Sequence, residues 1–100
     1  MTVFRIQPQS DGRFLLTGEL DLRSARTALE QGEQLLGGER TITLDLSGLT
    51  RVDSAGLVML LDWWRSARRQ GRAFVLEHVP EQMRKLMAVT NLDRVLPVSD

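Results

Sequence analysis

From Thr41 to Leu46 polar and apolar residues alternate at period two, and beyond Asp53-Ser54 the pattern changes to a helical one that runs to Arg69. The first pattern predicts a strand with one well-buried face, β-branched at its start. Ser47-Gly48-Leu49-Thr50 is expected to break that strand. Asp53 and Ser54 are both good N-cap residues, because a short side-chain oxygen can accept from backbone N–H groups that the first helical turn leaves unpaired. The helix is therefore expected to open here. On a wheel turning about 100° per residue, Leu57, Leu60, Leu61, Trp64 and Ala67 fall on one side, the expected core face. Val58, Met59, Asp62, Trp63, Ser66 and Arg69 fall opposite, so three apolar residues face water unless a partner covers them.

The remaining pattern surrounds this strand and helix with similar units. Val3–Gln7 alternates up to Pro8, and Arg13–Gly18 is a second apolar run across the turn Ser10-Asp11-Gly12, which predicts an antiparallel hairpin with an edge strand. Arg23 to Leu36 carries Ala25, Ala28, Leu29, Leu35 and Leu36 at roughly helical spacing and stops at Gly37-Gly38. Gly32 weakens that helix by up to about 1 kcal/mol relative to Ala. Gly71 closes the central helix, and Ala73–His78 is the next strand, parallel to the central one in a βαβ unit. Pro80 precedes a third helix, to Val89, with Met83, Leu86, Met87 and Thr90 on one face and Asn91 at its end. Leu92–Val98 contains Pro97 and is expected as an edge strand or extended tail. The order is ββαβαβαβ, an α/β fold in which three to four helices cover a small mixed sheet.

Composition narrows the function classes. One hundred residues suit a single domain, residues 1–100, and 42% apolar with 26% charged residues is ordinary for a globular chain. Thirteen basic residues balance thirteen acidic ones, so no basic excess points to nucleic acid. With no cysteine there is no disulfide framework or thiolate metal site. No apolar run approaches the ~20 residues that span a bilayer, and the N-terminal stretch lacks a secretory pattern. A cytoplasmic protein is expected, reaching the inner-membrane face only through a partner complex.

Catalytic chemistry is poorly provided for. His78 is the only histidine, at a strand end, and reads as a hydrogen-bonded structural residue. Glu19 and Asp21 form a carboxylate pair at spacing two, but no poised acid partner is evident, and they read as a solvated loop or a helix lead-in. The glycines do not form a phosphate loop, so neither nucleotide nor other cofactor is expected. Asp53-Ser54-Ala55-Gly56 admits two readings. Structurally, it is a helix N-cap followed by small residues that let the loop pack closely. Functionally, it places the Ser54 hydroxyl at the positive end of a helix beside an exposed apolar face. A phosphoryl group there would be favoured by the helix dipole, repelled by Asp53, and would add about −1.5 to −2 charge to a binding surface.

At these residues the chain resembles the STAS domain family. Gly18-Glu19-Leu20-Asp21, Leu44-Asp45-Leu46-Ser47 and Asp53-Ser54-Ala55-Gly56-Leu57 carry the likeness, and the order of elements extends it over nearly the whole chain. The resemblance implies a STAS-type sandwich that acts as a non-enzymatic binding module, with Ser54 as the phosphoacceptor or partner-contacting hydroxyl. The partner is then a protein rather than a small molecule. Two branches fit. One is the small STAS subunit of phospholipid-transport ABC complexes of the Mla type, which binds the ATPase subunit. The other is the anti-sigma-factor antagonists, which bind an anti-sigma kinase and are switched by phosphorylation. Pro80-Glu81-Gln82-Met83-Arg84-Lys85-Leu86 and the bulky Trp63 look more like the first, whereas the intact Asp53-Ser54 pair suits the second equally. The expected partner surface is Val58, Met59, Asp62 and Trp63, flanked by Asp53, Ala55 and Gly56 and by Glu19 and Asp21.

Overall fold

The structure, a computed structural model, describes residues 3–99. Its elements are β1 (Arg5–Pro8), β2 (Arg13–Leu20), α1 (Ala25–Leu36), β3 (Thr41–Val52), α2 (Ser54–Arg69), β4 (Ala73–Glu77), α3 (Glu81–Val89), a 3-10 turn (Leu92–Arg94) and β5 (Val98–Ser99). The expected ββαβαβαβ order is therefore present. The sheet runs β1-β2-β3-β4-β5, with β1 antiparallel to β2 and the other neighbours parallel. The tail after Asn91 is an edge strand of two residues, preceded by the 3-10 turn. Asn91 takes the left-handed conformation that ends α3, and Gly71 does the same after α2.

One face of the sheet makes the core. Phe14, Leu16 and Leu20 from β2, Ile42, Leu44 and Leu46 from β3, and Phe74 and Leu76 from β4 are buried there. The helices supply the opposing layer, with Ala28 and Leu36 from α1, Leu57, Leu60, Trp63 and Ala67 from α2, and Met83 and Met87 from α3. The residues between, such as Arg13, Leu15, Val75 and Glu77, form a half-exposed outer face. There Arg13 pairs with Glu77 at 2.6 Å, and the His78 Nδ1 lies 3.0 Å from Asp45 Oδ1. His78 thus has the hydrogen-bonded place foreseen for it.

The central strand corrects the first expectation. Ser47-Gly48-Leu49-Thr50 does not break β3, which continues to Val52. Thr17 pairs with Gly48 where Leu15 pairs with Asp45, and Glu19 pairs with Arg51 where Gly18 pairs with Leu49, so β3 carries extra residues as two bulges. Gly48 is required at the first, because a β-carbon there would come within 2.7 Å of the Leu16 carbonyl oxygen. Leu49 and Val52 are turned back to the core. A turn-like composition is here spent on bending a central strand.

The second correction concerns the tryptophans. Trp63 is buried, 7% exposed, while Trp64 is half-buried with the Arg68 guanidinium 5.4 Å from its ring centroid. On the wheel the two indoles flank the Gly56-Leu60-Ala67 line on either side, about 100° apart. Helix α1 packs against the Trp63 side and presents Gly32 to it, and that neighbour decides which indole is covered. Met59 is also partly buried against the core.

Candidate functional site

The C-terminal end of β3 delivers the chain directly into α2, and Asp53 fixes the junction. Its Oδ1 accepts from the Gly56 N–H at 3.0 Å, the side-chain cap expected of it, and its Oδ2 accepts from the Leu22 N–H at 3.3 Å. One carboxylate thus ties the start of α2 to the loop after β2. Gly56 permits the approach. A β-carbon on it would lie 2.1 Å from the Leu20 carbonyl oxygen, so only glycine lets the first turn of α2 sit on the end of β2. Ser54, in the first turn, is exposed, and its hydroxyl has no hydrogen-bond partner among the described residues.

Asp21 belongs to the scaffold of this junction. It is 6% exposed, and its Oδ1 accepts from the N–H groups of Arg23 and Ser24 at 3.0 and 3.1 Å. The Ser24 hydroxyl donates to the Glu19 carbonyl oxygen at 2.8 Å and accepts from the Asp21 N–H at 3.0 Å. Asp21 is therefore the helix lead-in, whereas Glu19 lies within β2 and gives this turn its backbone carbonyl oxygen. Asp21 is spent on the turn into α1, and Asp21, Trp63 and Gly56 are buried rather than at the exposed surface expected of them. Glu19 and Ala55 are half-buried; Val58, Asp62 and Ser54 are exposed.

Sequence reasoning missed two residues that extend the exposed apolar surface. Leu22, 76% exposed, follows the loop tied to Asp53, and Val89, 82% exposed, closes α3. Between α3 and the start of α2 a groove is lined by Ser54, Gln82, Lys85, Leu86 and Val89. Gln82 accepts from the Val52 N–H at 3.5 Å. Val89 was findable, because it falls off the Met83–Met87 face of its own helix. Leu22 sits in a turn, where no period marks an apolar residue as out of place.

Among the described residues no group of three or more His, Cys, Asp or Glu side chains is placed to hold a metal ion, and no helix is long and apolar enough to cross a membrane. Asp45 and His78, the closest approach to an acid–base pair, lie on the outer face of the sheet, away from the α2 junction. Burial pushes the Asp45 carboxyl up, but hydrogen bonds from Ser47 and from His78 outweigh it and hold the group below the usual carboxylate range. The pair is a surface hydrogen bond.

Residues 5–97 match the family model described as "Mlab, STAS domain". The chain is 34% identical over 90 residues to the intermembrane phospholipid transport system binding protein MlaB of Escherichia coli, spanning 89% of this chain and 91% of that one. It is 25% identical over 93 residues to the anti-sigma-B factor antagonist of Bacillus subtilis, spanning 93% and 85%. The crystal structure of a Thermotoga maritima protein assigned to the anti-sigma factor antagonists superposes with a TM-score of 0.80 at 26% identity, over 97% of this chain and 86% of that one.

Proposed function

The chain belongs to the STAS domain family, and we propose that it acts as one non-catalytic STAS domain that binds and supports the ATPase subunit of an Mla-type phospholipid-transport ABC complex. The observation that carries this reading is the capped α2 N-terminus, where the Ser54 hydroxyl has no hydrogen-bond partner among the described residues, exposed Val58 stands one turn further along the helix and exposed Val89 lines the same groove. Apolar side chains set around one polar anchor form a docking surface rather than a reaction centre. The higher identity to the phospholipid-transport relative, 34% against 25% over similar lengths, favours that branch. The protein would then sit in the cytoplasm at the inner-membrane face, held there by its partner.

A second reading rests on Ser54 itself. An exposed, unbonded hydroxyl in the first turn of a helix, next to Asp53, suits a serine kinase, so the chain would be an anti-sigma-factor antagonist released by phosphorylation. The experiment that separates the two is co-expression with the ATPase and permease subunits of the transporter. Co-purification, faster ATP hydrolysis with the chain than without it, and an unchanged intact mass after incubation with ATP support the transport reading. A phosphate that appears with an anti-sigma kinase and disappears in Ser54→Ala supports the antagonist reading.

A further inference from the structure

The exposed side of α2 does not end at Val58. Ser54, Val58, Asp62, Arg65 and Arg69 are all exposed at spacings of four, four, three and four, so they form one stripe along the helix. From Ser54 to Arg69 it runs roughly 22 Å. Ser54 and Val58 at its N-terminal end are neutral, Asp62 stands at its middle, and Arg65 and Arg69 beyond it are basic, with Arg68 beside them stacked on Trp64. Neither Arg65 nor Arg69 is ion-paired within the described residues. They stand four apart, where like charges on a helix repel. Arg69 gains from the helix dipole in the last turn, but Arg65 lies more than a turn from the end and gains little.

We propose that the docking surface extends along this stripe and that the protein partner presents an acidic segment opposite Arg65 and Arg69, continuous with the apolar contact at Val58 and Ser54. The inference rests on the binding role proposed above and adds the chemistry of the partner. Arginine is enriched at interface anchors, and here one of the group, Arg68, is already ordered by its aromatic neighbour. A protein partner fits better than a phosphate surface. Asp62 lies on the same stripe and Asp53 at its head, and both would repel the phosphates of a membrane or a nucleic acid. The chain has no net charge, and three arginines fall short of the four to eight basic residues of a typical lipid-binding cluster. A partner with mixed charges can match both signs.

The test titrates the full chain against the purified transporter ATPase, and separately against the anti-sigma kinase, at low and at high salt. The variants are Arg65→Glu with Arg69→Glu, and Arg65→Gln with Arg69→Gln. All of these substitutions are at exposed positions, and a thermal melt confirms that each variant folds. Wild type should bind one of the two proteins with an affinity that falls as salt is raised. Charge reversal should weaken it at least tenfold and flatten the salt dependence, with the glutamine pair intermediate. Wild-type binding that reversal leaves unchanged overturns the acidic-segment inference while leaving the binding role standing. Binding to neither protein overturns both. Capture by vesicles of anionic phospholipid, lost on reversal, with reversal leaving protein binding unchanged, overturns the inference in favour of a lipid surface.

Discussion

Gly32 of α1 lies against the Trp63 indole of α2, so closely that a β-carbon on Gly32 would come within 2.5 Å of Nε1. The glycine that weakens α1 as an isolated helix is the residue that lets the two helices close over the indole. Gly32→Ala should gain up to about 1 kcal/mol of helix propensity and lose about 1–3 kcal/mol to overpacking, a net destabilisation in urea unfolding. Trp63→Ala should cost about 3–5 kcal/mol. Trp64→Ala, at a half-buried site, should cost clearly less. Trp63 Nε1 is buried without a hydrogen-bond partner among the described residues, so Trp63→Phe sacrifices no bond there and should be much milder than Trp63→Ala. Equal losses for Trp63→Ala and Trp64→Ala would contradict this packing.

The α2 junction predicts two distinct kinds of damage. Asp53→Ala removes the acceptor for both Gly56 and Leu22 and should cost about 0.5–2 kcal/mol, while Asp53→Asn keeps a side-chain oxygen for Gly56 and should cost less. Gly56→Ala meets the Leu20 backbone rather than a side chain that can turn away. It should therefore push α2 off β2 and reduce partner binding as well as stability. Paired urea melts and binding titrations read the two effects separately.

Those particulars mark where the sequence was legible. Each element carried its own period and its own punctuation, and Asp53 acted as the cap its residue type implied, so the order of the fold could be read locally. What could not be read depended on neighbours. Gly48 has the composition of a turn, but pairing with β2 keeps it inside β3 as a bulge. Trp63 and Trp64 border the same apolar stripe, and only the approach of Gly32 distinguishes them. Asp21 could be read as a solvated loop or a helix lead-in but not decided between them, because its partners are backbone N–H groups, which every sequence has and none advertises.

The outer sheet face makes stability depend on acid. The hydrogen bond from Arg13 is the main cause that holds the Glu77 carboxyl below its ordinary range, against an opposing desolvation, and Asp45 is likewise held low on balance. A depressed carboxylate contributes stability above its unfolded pKa, around 4, and loses it as pH falls through the lower folded value. The melting temperature should therefore hold from pH 7 to about 5 and fall below about 4. In Arg13→Ala the Glu77 share should vanish, so the gap between variant and wild type should narrow at acid pH. A gap that stays constant from pH 7 to 3 would mean that the Arg13–Glu77 contact is not formed in solution.

Ser54 gives different outcomes for one pair of substitutions under the two functional readings. Ser54→Asp adds a charge beside exposed Val58 and Val89, so partner binding should fall by a few kcal/mol under either reading. Ser54→Ala is the informative change, because the hydroxyl has no hydrogen-bond partner among the described residues that its loss could disturb. Folding stability should stay within about 0.5 kcal/mol of wild type, as for other surface substitutions. If the hydroxyl contacts an ATPase directly, alanine should weaken the complex by about 1–2 kcal/mol, from the lost hydrogen bond and the polar group left unpaired opposite it. If it is a phosphoacceptor, alanine should keep binding the kinase and resist release by ATP, since only the means of dissociation has been removed. Titrations with and without ATP, with intact mass measured on the same samples, distinguish the outcomes: weakened binding at unchanged mass favours the transporter, and ATP-resistant binding favours the antagonist.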